Sequence, residues 1–357
     1  MHDDGNMRLV SSRVCVLVVL VCTGLGGCST LGYYGQAVVG HWHIMRARTA
    51  IPEVLVDPET PPETRTALQR VQTARVFASR ELYLPDNDSY TTYVDLGREA
   101  VTWNVIATQP LSVEPQSWCF PVAGCLSYRG YFHREDAEKY AAHLRAEGLD
   151  VALTQADAYS SLGWFDDPLL STMLSRGEPL VAGVLFHELA HQQLYVKDDS
   201  SFNESFATFV ERHGIEQWLK KQNRADLQGR YNRYQVRRQD FLALLTGFRA
   251  ELDNLYAEDI SDEAKLVAKQ AAFVSLRQRY EVLKKQWQGY AGYDAWFDKP
   301  LNNARVAGVS TYNRWVGAFA TLFADSGENY ALFYQRSADL AALPRAERQR
   351  RLEELSP

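Results

Sequence analysis

Along the chain, apolar residues recur first at helical spacing, then at strand spacing, then at helical spacing again. Tyr34, Val38, His41 and Met45 give residues 33–50 a helical period. A Pro- and Thr-rich linker, Pro58 to Thr64, precedes a second predicted helix near 65–83. The pattern then changes. Tyr90 to Val94 and Val101 to Ile106 are β-branched and aromatic and predict strands, as does Leu126 to Phe132. His133 to Glu147 predicts a helix closed by Gly148, and Val151 to Thr154 another strand. Leu180 to Phe186 is almost wholly apolar and continues into Leu189, Ala190 and Leu194, which predicts a buried helix with Pro179 in its first turn. A turn-like Lys197 to Ser200 leads into a further helix that ends at His213-Gly214. Residues 215–287 look helical throughout without a sustained heptad, which predicts a helical subdomain rather than a coiled coil.

Strands followed by two apolar helices predict an α+β fold: a core with a small sheet and two helices, then a mainly helical C-terminal part. The expected boundaries are 1–27 for a signal peptide and 28–357 for a single unit. Within that unit, 28–85 is helical, 86–214 is the core and 215–357 is helical again.

The buried helix carries the chemistry. It reads His187-Glu188-Leu189-Ala190-His191. Residues four apart share a helix face, so both imidazoles can bind one metal ion, and Glu188 can reach a water on that metal as general base. Burying two His and a Glu is costly unless they are paired or ligated. The expected cofactor is Zn²⁺, and it needs a third protein ligand. Glu204, with twelve residues between it and His191, is the candidate on the next helix. Strands followed by two metal-bearing helices are the arrangement of a zincin-like α+β core. Ser201-x-x-Glu204 also fits a capping box, in which the carboxylate would bond backbone instead. Glu211 shares the face of Glu204 and is either an orienting partner for a ligand histidine or a solvated carboxylate. Asp198 and Asp199 are further ligand candidates, although ordinary turn chemistry suits their position.

Composition changes the picture in two places. A net charge of −6 gives no argument for nucleic-acid binding. The 8 Trp, 19 Tyr and 15 Phe can line a core or a peptide-binding cleft.

The N-terminus reads as a processing signal: Met7, Arg8 and Arg13 are followed by a short apolar run, Val14 to Val21, and then Leu25-Gly26-Gly27-Cys28. His2-Asp3-Asp4 suits no signal, which points to Met7 as the start. The stretch around Cys28 resembles a bacterial lipobox, so Cys28 is the expected lipidation site, with an ordinary signal or an uncleaved anchor as rivals. Ser29 after it resembles the outer-membrane sorting rule, which implies the periplasmic face of the outer membrane. Cys119 and Cys125 remain as an even pair, read as a disulfide in an oxidising compartment rather than as a metal pair.

Phe186 to Gln192 together with Phe202 to Thr208 is similar to the bacterial predicted aminopeptidase lipoproteins, a group of gluzincin type. The resemblance extends to Trp118–Cys125, Tyr128–Tyr131, Leu162–Pro168 and Leu301–Ala304. It implies a zinc peptidase with ligands His187, His191 and Glu204, acting on a peptide substrate. It also implies a downstream donor for the oxyanion, for which Tyr312 is the candidate and Arg305 a second. An aminopeptidase needs an acidic grip on the free amine. Asp157, Asp166 and Asp167 lie upstream, but none sits in a signature. An endopeptidase, a cell-wall amide hydrolase and a non-catalytic zinc-binding lipoprotein stay open beside the aminopeptidase.

Overall fold

The computed structural model describes residues 32–120, 124–158, 161, 165–309 and 314–357. The chain divides into two units, Met1–Ala47 and Arg48–Pro357. In the first, residues 32–46 form helix α1. Its exposed side carries Tyr34, Val38, Val39 and Trp42, and the Arg46 guanidinium sits 5.0 Å over the Trp42 ring.

The second unit begins with β1 (Thr49–Ala50), α2 (Ile51–Val56) and α3 (Pro62–Arg80). Both helices have Pro in the first turn, where the missing N–H costs nothing. Six strands, β2 (Thr92–Val94), β3 (Thr102–Thr108), β4 (Trp118–Phe120), β5 (Gly124–Leu126), β6 (Arg129–Tyr131) and β7 (Asp150–Ala156), are interrupted only by α4 (Arg134–Ala146). β8 (Leu169–Leu170) and α5 (Ser171–Leu174) then lead to α6 (Glu178–Gln193) and α7 (Ser200–Lys221). The remainder is helical: α8 (Ala225–Ala257), α9 (Asp262–Gln286), α10 (Asp294–Phe297), α11 (Asn303–Ala307), α12 (Val316–Asp325), α13 (Tyr330–Ala342) and α14 (Arg345–Leu355). The fold is α+β with small sheets and a helical C-terminal part, as the hydrophobic pattern predicts.

The described residues form three small sheets. In one, β3 pairs antiparallel with β6 and β7 on its two sides. Val105 to Thr108 of β3 are buried at consecutive positions, which requires cover on both faces, and α4 and α11 both pack on this strand. In the second, β2 lies between antiparallel β1 and parallel β8. The third is the β4–β5 hairpin, whose register sets Cys119 opposite Cys125, and the two are joined as a disulfide.

Two expectations need correction. Leu126 to Phe132 is not one strand but parts of β5 and β6, which belong to different sheets. The helix after the motif does not end at His213-Gly214; α7 runs through to Lys221. Gly214 serves packing instead: a Cβ there would lie 2.8 Å from both Leu82 Cδ1 and Phe186 Cδ2.

Helices α8 and α9 pack as a long antiparallel pair around Phe241, Phe248, Phe273, Leu276 and Tyr280. Stacked rings extend this core, with Tyr280 on Phe297 at 4.0 Å and Phe241 on Tyr293 at 4.1 Å. Buried Lys269 of α9 reaches Asp150 of β7 at 2.6 Å and so ties the pair to the sheet. No described helix is long and apolar enough to cross a membrane.

Candidate metal centre

Helix α6 is apolar almost all round and is correspondingly enclosed, packing against α7, α3 and α5. Gly177, at φ 81°, turns the chain into it, and Leu194, at φ −153°, takes the chain out. His187 and His191 stand one turn apart with ring centres 4.8 Å apart and planes at 84°. Their Nε2 atoms lie 3.1 Å from each other.

The following loop decides where Glu204 falls. Asp199 is the N-cap of α7 and accepts from the Phe202 N–H at 3.2 Å. Asn203 staples the loop by accepting from the Val196 N–H and donating to the Val196 carbonyl, both at 2.7 Å. With Asp199 as cap, Ser201-x-x-Glu204 is not a capping box. Glu204 stands one position beyond the first turn and faces the histidines. Its carboxylate lies 3.3 Å from His187 Nε2 and 3.8 Å from His191 Nε2. Gly183, four residues before His187 on the same face, lets α7 come close: a Cβ there would meet Ile215 Cδ1 at 2.5 Å and Glu211 Cγ at 3.2 Å.

Glu211 completes the cluster from behind, with Oε2 3.1 Å from His187 Nδ1. Glu188 is half-buried on α6 about 100° round from His187.

The electrostatics describe a site that attracts positive charge. Burial opposes a charged His187, yet hydrogen bonds to Glu204 and Glu211 outweigh it and hold the imidazole well above its ordinary pKa. His191 is pushed down to about 4, first by burial and then by repulsion from His187. Both carboxylates are drawn below their usual range by His187 in spite of their burial.

Donor atoms of His187, His191 and Glu204 all lie within 4.8 Å of one another, so the three could hold a metal ion. Two nitrogens bound to a tetrahedral zinc stand about 3.3 Å apart, close to the 3.1 Å between the imidazoles. Two carboxylates beside two neutral imidazoles would balance a divalent cation. Two His and one Glu suit zinc and leave one position for water.

Other sequence candidates are engaged elsewhere. Asp199 pairs with Arg348, and Asp198 accepts from the Cys125 N–H of β5 at 3.3 Å, so neither joins the cluster. Asp157 pairs with Arg176 at 2.7 Å, and Asp167 is buried and accepts from Ser161. Arg305 donates to the Trp296 carbonyl and lies over the Trp296 ring, which commits its guanidinium to packing. Tyr312 and Cys28 lie outside the described residues.

The structure adds residues that the pattern did not suggest. Tyr195 places its ring 6.4 Å from that of His191 while remaining 37% exposed. Its hydroxyl is raised above its usual pKa by burial and then by Glu204 and Asp198, so it stays protonated. Helical spacing gave no signal for it, because α6 ends at Gln193 and Tyr195 reaches His191 from the extended chain beyond. Asn203 and Gly183 carried none, because their roles exist only across the α6–α7 contact.

A family model described as "Putative aminopeptidase" matches residues 32–352. No curated protein and no solved structure matches the chain.

Proposed function

The chain belongs to the "Putative aminopeptidase" family, and from that premise we propose that it is a zinc-dependent peptidase of gluzincin type acting in the bacterial envelope. The observation that supports this best is the convergence of His187, His191 and Glu204 on one point, with Glu188 next to His187 on the same helix. Zinc bound there would polarise a substrate carbonyl and acidify a water toward neutrality. Glu188 would act there as general base, holding a proton on its carboxylate and passing it to the leaving amine. Glu211 holds the His187 ring through Nδ1, which presents Nε2 to the cluster. A phenol, from Tyr195 or Tyr312, donates to the oxyanion. The α+β architecture supports a zincin-like core, and the substrate would be a peptide. Cys28 would carry lipid and hold the enzyme on the periplasmic face of the outer membrane.

The test is Glu188→Gln in the full mature chain. Zinc content stays at that of the parent, while hydrolysis of a peptide panel falls by about 10²–10⁴-fold. Unchanged hydrolysis would rule out this mechanism. Aminopeptidase action is the reading the family supports, and N-acetylation of the peptides abolishes their cleavage if it holds.

A further inference from the structure

We propose that helix α1 lies along a phospholipid surface, with Tyr34, Val38, Val39 and Trp42 set into the boundary between headgroups and acyl chains. This goes beyond the peptidase reading and rests on it at one point only, the lipid on Cys28.

The exposed face is apolar. Val38 is 68% exposed, Trp42 53% and Val39 51%, with Tyr34 exposed beside them. At 100° per residue these four fall within an arc of about 140°. Ile44, nearly opposite on the helix, is buried. Single exposed apolar side chains are ordinary on a protein surface, whereas a Trp, a Tyr and two Val on one side of one helix form a patch that marks an interaction surface.

The chemistry of the patch suits lipid. Trp and Tyr favour the headgroup level, where an apolar ring and a polar edge are both satisfied. The Arg46 guanidinium, one turn beyond Trp42, sits 5.0 Å over its ring at the rim of the patch, placed to meet phosphate. Cys28 to Ala47 contains no Asp or Glu, although the whole chain carries −6. Anionic headgroups therefore repel nothing in this segment.

Position selects lipid over a protein partner. Gly32, the first described residue of α1, comes four residues after Cys28. Four residues span at most about 14 Å, so a lipid chain on Cys28 keeps α1 within reach of the headgroup layer. The helix is about 22 Å long, shorter than the roughly 30 Å hydrocarbon core, so it lies on the bilayer rather than through it.

The test uses the mature chain from residue 28 with Cys28→Ser, which carries no lipid, and vesicles of phosphatidylethanolamine and phosphatidylglycerol. Accessible lipid is held at millimolar concentration, comparable to what a short tether supplies. The chain co-sediments with the vesicles, and brominated phospholipid quenches part of its tryptophan emission. That part is missing in Trp42→Phe, which still binds. Val38→Asp weakens binding by about tenfold or more and Val38→Leu keeps it, with the parental circular dichroism and denaturation midpoint in both. No co-sedimentation, binding that survives Val38→Asp, or quenching unchanged in Trp42→Phe each overturns the proposal. Self-association that Val38→Asp abolishes, with no vesicle binding, gives the face to a second copy and overturns it as well. Lipid on Cys28 is tested separately, by incorporation of labelled palmitate into the precursor and its loss in Cys28→Ser, so the two readings fail independently.

Discussion

His187 Nδ1 lies 3.1 Å from Glu211 Oε2, while His187 Nε2 lies 3.3 Å from Glu204. One imidazole is therefore held from both sides by carboxylates about two turns apart on one face of α7. In the proposed metal site Glu211 would fix the ring plane and tautomer and leave the other nitrogen for the metal. Glu211→Gln should keep the fold by circular dichroism and lower zinc affinity by about 10–100-fold in a chelator competition. Parental affinity would mean that Glu211 is an ordinary partner of an ordinary histidine.

The approach of α7 to α6 rests on Gly183. Gly183→Val sets branched carbon where Ile215 and Glu211 now pack. Overpacking of this kind costs about 1–3 kcal/mol. The denaturant midpoint should fall, and zinc affinity should fall with it, because Glu204 and Glu211 ride on the displaced helix. A loss of stability with no change in affinity would separate the packing from the site.

Arg348 of α14 grips the cap of the helix that carries Glu204. Its Nε and one terminal nitrogen donate to Asp199 Oδ2 at 2.9 and 2.8 Å, with both side chains buried. Removing one partner of a buried pair costs about 3–5 kcal/mol. Arg348→Met should lose that much in chemical denaturation. Asp199→Asn keeps a competent cap, so adding it to Arg348→Met should restore part of the loss. Additive losses would show that the pair is not coupled.

Tyr195 and Tyr312 compete for one role. Removing an oxyanion donor costs about 10²–10³-fold in kcat with little change in KM. Tyr195 stands beside His191 and Glu204, so Tyr195→Phe is expected to show that loss and Tyr312→Phe to leave kcat near the parental value. The reverse pattern would return the role to Tyr312.

His213 predicts a pH dependence. Burial lowers its pKa against a weaker opposing pull from Glu328, and its Nδ1 lies 2.7 Å from the Tyr330 hydroxyl. The unfolded chain therefore binds this proton more readily than the folded one. The stability contribution is complete above the unfolded value, about 6.5, and is lost as pH falls from there through the lowered folded value. Denaturation midpoints should decline over that acid window, and His213→Gln should flatten the decline. An unchanged slope would acquit His213.

Much of the site was legible in the chain because its signals are local. His187, Glu188 and His191 share one helix, and helical periodicity alone places the two imidazoles on a common face. Cys119 and Cys125 meet across a hairpin short enough for sequence to suggest it. Glu204 was harder, since Ser201-x-x-Glu204 has two meanings. The choice between them came from Asp199, which caps α7 two residues earlier than the box would require.

The sequence by itself determined the α+β order and the pairing of His187 and His191 on one helix face, because these follow from periodicity and residue chemistry within single segments. Only the tertiary structure decided which carboxylates reach the histidines, that α7 continues past Gly214, and that Tyr195 lies beside His191. Each of these depends on how closely α6 and α7 approach. That distance is set by side-chain volume across the interface, at Gly183 against Ile215 and Gly214 against Phe186, and a contact between two helices has no periodic trace in either one.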